Sequence, residues 1–304
     1  MRIVFMGTPD FAVASLQALL EAGEHVVAVV TAVDKPAGRG QKVQESAVKK
    51  FAAANDIPVL QPEKLRSTDF LTQLASYKAD LQVVVAFRML PEAVWNMPPK
   101  GTINVHASLL PQYRGAAPIN HAIINGEKES GVTTFLLQHE IDTGNILFSK
   151  KVNISPDDNA GTLHDKLMLA GASLLLETVQ ALKKDVINPI PQTNISVADL
   201  KVAPKIFKED CEIDWNNSTD IVYNHIRGLS PYPTAFTQLN GKGLKIFAAQ
   251  KGPKIDKAAG EYETDGKTFL RFATLDGTIQ LITLQLEGKK KMDVIEFLRG
   301  YRFD

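Results

Sequence analysis

The chain has 304 residues, 44% apolar and 22% charged, with one cysteine and 34 basic against 34 acidic side chains. That is an ordinary globular composition, long enough for two domains. It excludes an internal disulfide, a cysteine-based metal cluster and a strong overall attraction to polyanions. No run approaches the roughly 20 apolar residues of a membrane-spanning helix, so a cytoplasmic protein with no membrane partner is expected.

From residue 1 to 186, short β-branched runs alternate with helix-like stretches. Residues 3–6, 26–33, 81–87 and 102–106 read as near-continuous apolar strands, the pattern of a parallel sheet covered on both faces. Residues 11–22, 45–55 and 119–125 read as helices, 131–138 and 146–154 as two further strands, and 162–184 as a long closing helix. Strands alternating with helices predict an open α/β sheet. Residues 187–206, with Pro189, Pro191, Asn194 and Ser196 and little periodicity, are the best linker candidate. From 207 to 304 the grammar changes. Short strands at 235–239, 244–248, 268–273 and 278–286, divided by glycine-containing turns, predict a small all-β barrel or sandwich. Helices are expected before them at 220–228 and after them at 292–300.

The first strand ends in Gly7-Thr8-Pro9-Asp10. One glycine stands where a dinucleotide fingerprint needs three, and Pro9 lacks an N–H for a phosphate, so a tight strand-to-helix turn is expected. Asn104 and His106 lie two residues apart at the end of a strand and share one face. Open α/β sheets bind ligands at that edge. An amide beside an imidazole can polarise a carbonyl and stabilise an oxyanion, and the imidazole can move a proton. A hydrogen-bonded core histidine explains His106 equally well. Leu109 and Leu110, inside the loop Ser108-Leu109-Leu110-Pro111, could flank a flat ligand or pack beneath the loop. Asp142-Thr143-Gly144 offers a carboxylate in a turn, and nothing in the spacing brings it to His106.

Residues 34–42 form a Gly-rich loop. Between Thr31 and Lys50 there are five basic and two acidic residues. Gly38 and Gly40 around Arg39 would let its guanidinium reach outward to grip phosphate or stack on a base, although a solvated surface loop has the same composition. Lys289-Lys290-Lys291 is a second basic run, but residues 207–304 are otherwise balanced, with fourteen basic and fourteen acidic. His25, His121, His164 and His225 show no metal-ligand spacing, and no metal is expected.

The stretch Asn104-Val105-His106-Ala107-Ser108-Leu109-Leu110-Pro111, continued by Tyr113-Arg114-Gly115-Ala116-Ala117-Pro118 and joined by Asp142-Thr143-Gly144, resembles the signature of the folate-dependent formyltransferases. Met6-Gly7-Thr8-Pro9-Asp10-Phe11-Ala12, Lys35-Pro36-Ala37-Gly38-Arg39-Gly40, Ile213-Asp214-Trp215 and Pro231-Tyr232-Pro233 extend the likeness over essentially the whole chain, toward members that act on methionyl-tRNA. The resemblance implies a Rossmann-like formyltransferase domain over 1–186 and an OB-like β-barrel over 207–304 that assists tRNA binding, in a monomer. It implies 10-formyltetrahydrofolate as donor, leaving as tetrahydrofolate, and initiator methionyl-tRNA as acceptor. By the same likeness Asn104 and His106 would polarise the formyl oxygen and stabilise the tetrahedral intermediate. Asp142 would orient His106 or a bridging water and help remove the proton of the attacking amine.

Ser108, Leu109, Leu110 and Pro111, with Phe87 and Met89, would border the folate. Lys35, Arg39 and Lys42 would contact the tRNA, Arg39 entering the acceptor stem. The family usually carries a Tyr-Gly or similar pair where this chain has Ala86-Phe87-Arg88-Met89 before Leu90-Pro91. That segment normally meets the pterin through its backbone, so Arg88 is not expected to block it. The loop around Arg39 separates this chain from formyltransferases that act on nucleotide-linked amino sugars.

Overall fold

The computed structural model describes residues 1–37, 42–192 and 199–303. The chain forms two compact units, one of residues 1–115, 130–152 and 164–202, the other of 116–129, 153–163 and 203–304.

In chain order the strands of the first part are β1 (Arg2–Gly7), β2 (His25–Val30), β3 (Lys35–Ala37), β4 (Lys42–Gln44), β5 (Val59–Leu60), β6 (Leu81–Val85), β7 (Thr102–His106), β8 (Arg114–Gly115), β9 (Glu129–Leu136) and β10 (Ile146–Asn153). The helices are α1 (Asp10–Glu21), α2 (Ala47–Ala54), α3 (Thr68–Ser76), α4 (Glu92–Trp95), α5 (Pro118–Ile124) and α6 (Ala160–Lys183). Seven strands make one sheet in the order β10-β9-β7-β6-β1-β2-β5. The pairs from β7 to β5 are parallel, whereas β9 runs antiparallel to β7. Ile3, Val4, Phe5 and Met6 in β1 and Leu81, Val83 and Val85 in β6 are fully buried. This is why these strands read as unbroken apolar runs rather than alternating ones.

Helix α1 buries Phe11, Ala12, Ser15, Leu16 and Leu19, one stripe at helical spacing. A side chain at Gly7 would place its Cβ 2.6 Å from the Ala12 Cβ and 2.9 Å from the Val85 carbonyl oxygen. The glycine is there so that α1 and β6 can close on the end of β1. It serves packing, as the missing fingerprint glycines suggested.

The second unit contains β12 (Ala235–Leu239), β13 (Lys242–Gly252), β14 (Tyr262–Thr264), β15 (Leu270–Ala273), β16 (Thr278–Leu286) and β17 (Met292–Asp293) with helices α7 (Thr219–Gly228) and α8 (Val294–Gly300), after a two-residue β11 (Val202–Ala203). The order is β12-β13-β16-β15-β14, with β17 beside β16, and every ladder is antiparallel. Along β13, Leu244 and Ile246 point into the core and Lys245 to solvent, the period-two pattern of a half-buried strand. Register shifts at Ile246, Ala248 and Ala249 bend β13 over its partner, and the sheet is curled, as expected of an OB-like domain. Trp215 stacks on Phe272 with ring centroids 4.7 Å apart and donates its indole N–H to the Thr237 hydroxyl at 3.0 Å. Its large apolar surface is thereby buried without an orphaned donor.

Candidate active site

The carboxyl ends of β1, β6 and β7 lie side by side, with Gly7 opposite Val85 and Val85 opposite Val105. His106 ends β7 and is 6% exposed. Phe135 of β9 presents its ring edge-on, centroids 6.5 Å apart. His106 Nε2 lies 2.8 Å from the Tyr113 carbonyl oxygen. A carbonyl only accepts, so Nε2 is the protonated nitrogen and the lone pair of the neutral ring sits on Nδ1. Nδ1 faces the Asp142 carboxylate, Oδ2 at 3.8 Å. That separation is too long for a direct hydrogen bond.

Asp142 Oδ2 accepts from the Gly115 N–H at 3.0 Å. The spacing of the sequence brings Asn104 and His106 to one strand; the fold brings Asp142. Asn104 is half-buried, and among the described residues its side-chain amide takes no hydrogen-bond partner. Ala86, Tyr113 and Asp142, all at this edge, have φ of 47°, 59° and 56°. Non-glycine residues in the left-handed region are uncommon and cluster where a site is built.

The loop after β7 divides into buried and open parts. Ser108 is fully buried and donates to the Gln112 carbonyl at 2.6 Å. Thr133 of β9 donates to the Ser108 carbonyl at 2.7 Å and accepts from the Leu110 N–H at 3.1 Å. Leu110 is 6% exposed, so Ser108 and Leu110 hold the loop from beneath. Leu109 packs over Gly131, where an added Cβ would come within 2.5 Å of it. Phe87 and Pro111 are half-buried and Met89 is 74% exposed. The Arg88 guanidinium donates to the backbone carbonyls of Pro62 and Glu63 and lies over the Phe87 ring, 5.7 Å from its centroid.

Near the end of β2, the Lys49 ammonium and then the Gln61 amide hold the Asp34 carboxyl below its usual range. Lys49 also pairs with Glu45 at 2.9 Å. β3 and β4 pair as an antiparallel hairpin, Lys35 opposite Gln44. Arg39 lies outside the described residues, and of Lys42 only the backbone is described. Lys35 lines a cavity of about 820 Å³ together with Thr8, Asp10, Gln44, Ser46 and Lys50. Thr8 follows β1, two strands from β7, which at about 4.8 Å per strand puts roughly 10 Å between this cavity and His106.

Four contributors escape sequence reading: the Tyr113 carbonyl, the Gly115 N–H, and the side chains of Arg114 and Gln192. The first two are backbone atoms, whose hydrogen bonds leave no residue-type signal. Gln192 belongs to the stretch expected as linker, yet Ile190 exchanges two 2.8 Å backbone hydrogen bonds with Ile146. Among the described residues no helix is long and apolar enough to cross a membrane, and no group of His, Cys, Asp or Glu could hold a metal ion.

Residues 1–179 match the family model described as formyl transferase, and residues 205–302 match the one described as formyl transferase, C-terminal domain. Fold and site thus define a two-part formyl-transferring enzyme. A methionyl-tRNA formyltransferase of Bacteroides fragilis is 55% identical, covering 99% of this chain and 95% of that protein. The chain belongs to the methionyl-tRNA formyltransferase family. Among solved structures, the sugar 3N-formyl transferase WlaRD, crystallised with dTDP and 5-N-formyl-THF, is 21% identical at a TM-score of 0.70, covering 95% of this chain and 99% of that one. HypX from Aquifex aeolicus, in complex with tetrahydrofolic acid, is 21% identical at a TM-score of 0.68. The alignment covers 100% of this chain and 48% of HypX, so the chain spans about half the length of that protein. At these identities both structures speak for the fold alone.

Proposed function

We propose that the chain transfers the formyl group of 10-formyltetrahydrofolate to the amino group of initiator methionyl-tRNA, releasing tetrahydrofolate. The observation that carries this reading is that an Asn104 amide without a hydrogen-bond partner among the described residues shares a strand face with a buried imidazole whose Nδ1 faces Asp142. In the reaction the amine nitrogen bonds to the formyl carbon and the bond from that carbon to the donor nitrogen breaks. One proton passes from the attacking to the leaving nitrogen. The Asn104 amide donates to the formyl oxygen as it gains charge. His106 accepts the amine proton on Nδ1, directly or through a water, while Nε2 stays on the Tyr113 carbonyl. Asp142 stabilises the imidazolium that results.

Phe87, Met89, Leu109 and Pro111 suit one edge of a flat pterin, with Ser108 and Leu110 holding the loop that carries two of them. The Lys35-lined cavity is within the size range of small-ligand sites. Roughly 10 Å from His106, it is too far to hold the attacking amine and would take a neighbouring part of the acceptor. Arg39 and Lys42, from the same basic stretch of sequence, would grip the acceptor stem, and the 207–304 domain would assist through the exposed Lys289–Lys291 run.

Arg39→Ala is expected to lower kcat/KM for methionyl-tRNA by about tenfold, the scale of one lost guanidinium contact to nucleic acid, without changing the Kd for the folate. Steady-state formylation and a folate titration measure the two. An unchanged dependence on tRNA would return the loop to ordinary solvated surface.

A further inference from the structure

The left-handed Asp142 must be held by its surroundings, because a non-glycine residue does not settle at a φ of 56° unaided. On one side the turn is tied to β9, where the Leu136 N–H donates to the Asn145 carbonyl at 3.0 Å. On the other stands Gln192, fifty positions on. Its Nε2 donates to the Asp142 carbonyl at 3.1 Å and to the Gly144 carbonyl at 2.6 Å. Its Oε1 accepts from Arg114, Nε at 3.2 Å and Nη2 at 2.7 Å. A guanidinium only donates and a carbonyl only accepts, so this amide can sit only one way round. Arg114 in turn precedes Gly115, whose N–H donates to the Asp142 carboxylate at 3.0 Å. The hydrogen bonds close a ring from the Asp142 carboxylate through Gly115, Arg114 and Gln192 back to the Asp142 carbonyl.

We propose that Gln192 is a positioning residue for the formyl transfer: it holds the Asp142 turn so that the carboxylate stands beside His106 Nδ1, with Arg114 locking its amide. This rests on the role given to Asp142 above. Glutamate at 192 has the same size and would keep the bond to Arg114. It would, however, aim a second oxygen at two carbonyl oxygens that now receive N–H groups, and the turn would be released without loss of the packing. Gln192→Ala removes both attachments.

The test compares the full-length chain with its Gln192→Glu and Gln192→Ala variants, using 10-formyltetrahydrofolate and methionyl-tRNA. In both variants kcat is expected to fall about 10- to 100-fold, the effect of a displacement near 1 Å in a catalytic group. KM for either substrate should stay within about twofold, and the thermal midpoint of Gln192→Glu should match the wild type. The Gly115 amide resonance in 15N–1H spectra, which reads the carboxylate it touches, should move. An unchanged kcat or an unmoved Gly115 resonance in Gln192→Glu overturns the proposal. So does a rise in KM that accompanies a lowered thermal midpoint, the mark of a merely structural residue. A wild-type chain inactive on methionyl-tRNA would instead overturn the functional reading, and the Gly115 resonance would still report whether Gln192 holds Asp142.

Discussion

Replacing His106 with alanine is expected to lower kcat for formyl transfer by about 100- to 10,000-fold, the range for removing a general base or a polarising group. The substitution takes away the nitrogen that faces Asp142, the only carboxylate paired with this ring among the described residues. It also removes the N–H that His106 gives to the Tyr113 carbonyl. Losing one partner of a buried hydrogen bond costs about 1–3 kcal/mol, against a typical total stability of about 5–15 kcal/mol. The variant should therefore stay folded, with a modestly lowered thermal midpoint and native circular dichroism, and the lost turnover would be chemical. Near-normal turnover would remove His106 from the mechanism.

Gly144→Ala should act through the backbone. The added Cβ would overlap the Leu136 carbonyl oxygen and stand 2.8 Å from its carbon, with Phe135 Cδ2 at 3.4 Å. Those first two are backbone atoms of β9, which cannot swing aside as a side chain could. Either the Asp142 turn or the end of β9 must move, at a cost of about 3 kcal/mol, the upper end for overpacking. β9 is paired with β7, Phe135 opposite Asn104 and Thr133 opposite His106, so the displacement passes to both of these residues as well as to Asp142. Thermal or urea unfolding should show the lower stability, and steady-state assays a fall in kcat at temperatures where the variant is folded. A wild-type melting curve would mean that the turn is looser than its hydrogen bonds indicate.

The main sheet was legible because burial on both faces writes β1, β2, β6 and β7 as apolar runs. α1 and α6 carry helical stripes long enough to read. α3 was not legible: it buries only Phe70 and Leu74 among Thr, Ser, Asp and Gln. Nor were β3, β4 and β5, of two or three residues each, shorter than any periodicity can register. β13 runs to Gly252, past the expected end at 248, because the bulges at Ile246 and Ala248 break the alternation that would have signalled its second half.

The site divides in the same way. Asn104 and His106 share a strand face, which spacing alone reveals. Asp142 enters only when β9 folds back beside β7, a long-range pairing with no local signature. The likeness to a known family supplied it in advance, and the folded chain sets its carboxylate 3.8 Å from the ring. Of the two leucines open to two readings in sequence, Leu110 packs within the loop, whereas Leu109 lies over Gly131 and stays half-buried. Gln192 was missed because prolines on either side of Ile190 make its neighbourhood look like a tether, while its importance lies in four hydrogen bonds that only the fold assembles.

The most direct test of the account is to incubate the purified chain with 10-formyltetrahydrofolate and initiator methionyl-tRNA and follow the acceptor's free amine. The account predicts N-formylmethionyl-tRNA and one tetrahydrofolate per formyl group transferred, both lost together in Asn104→Ala and His106→Ala. Formylation of a nucleotide-linked amino sugar with the tRNA left untouched would contradict it.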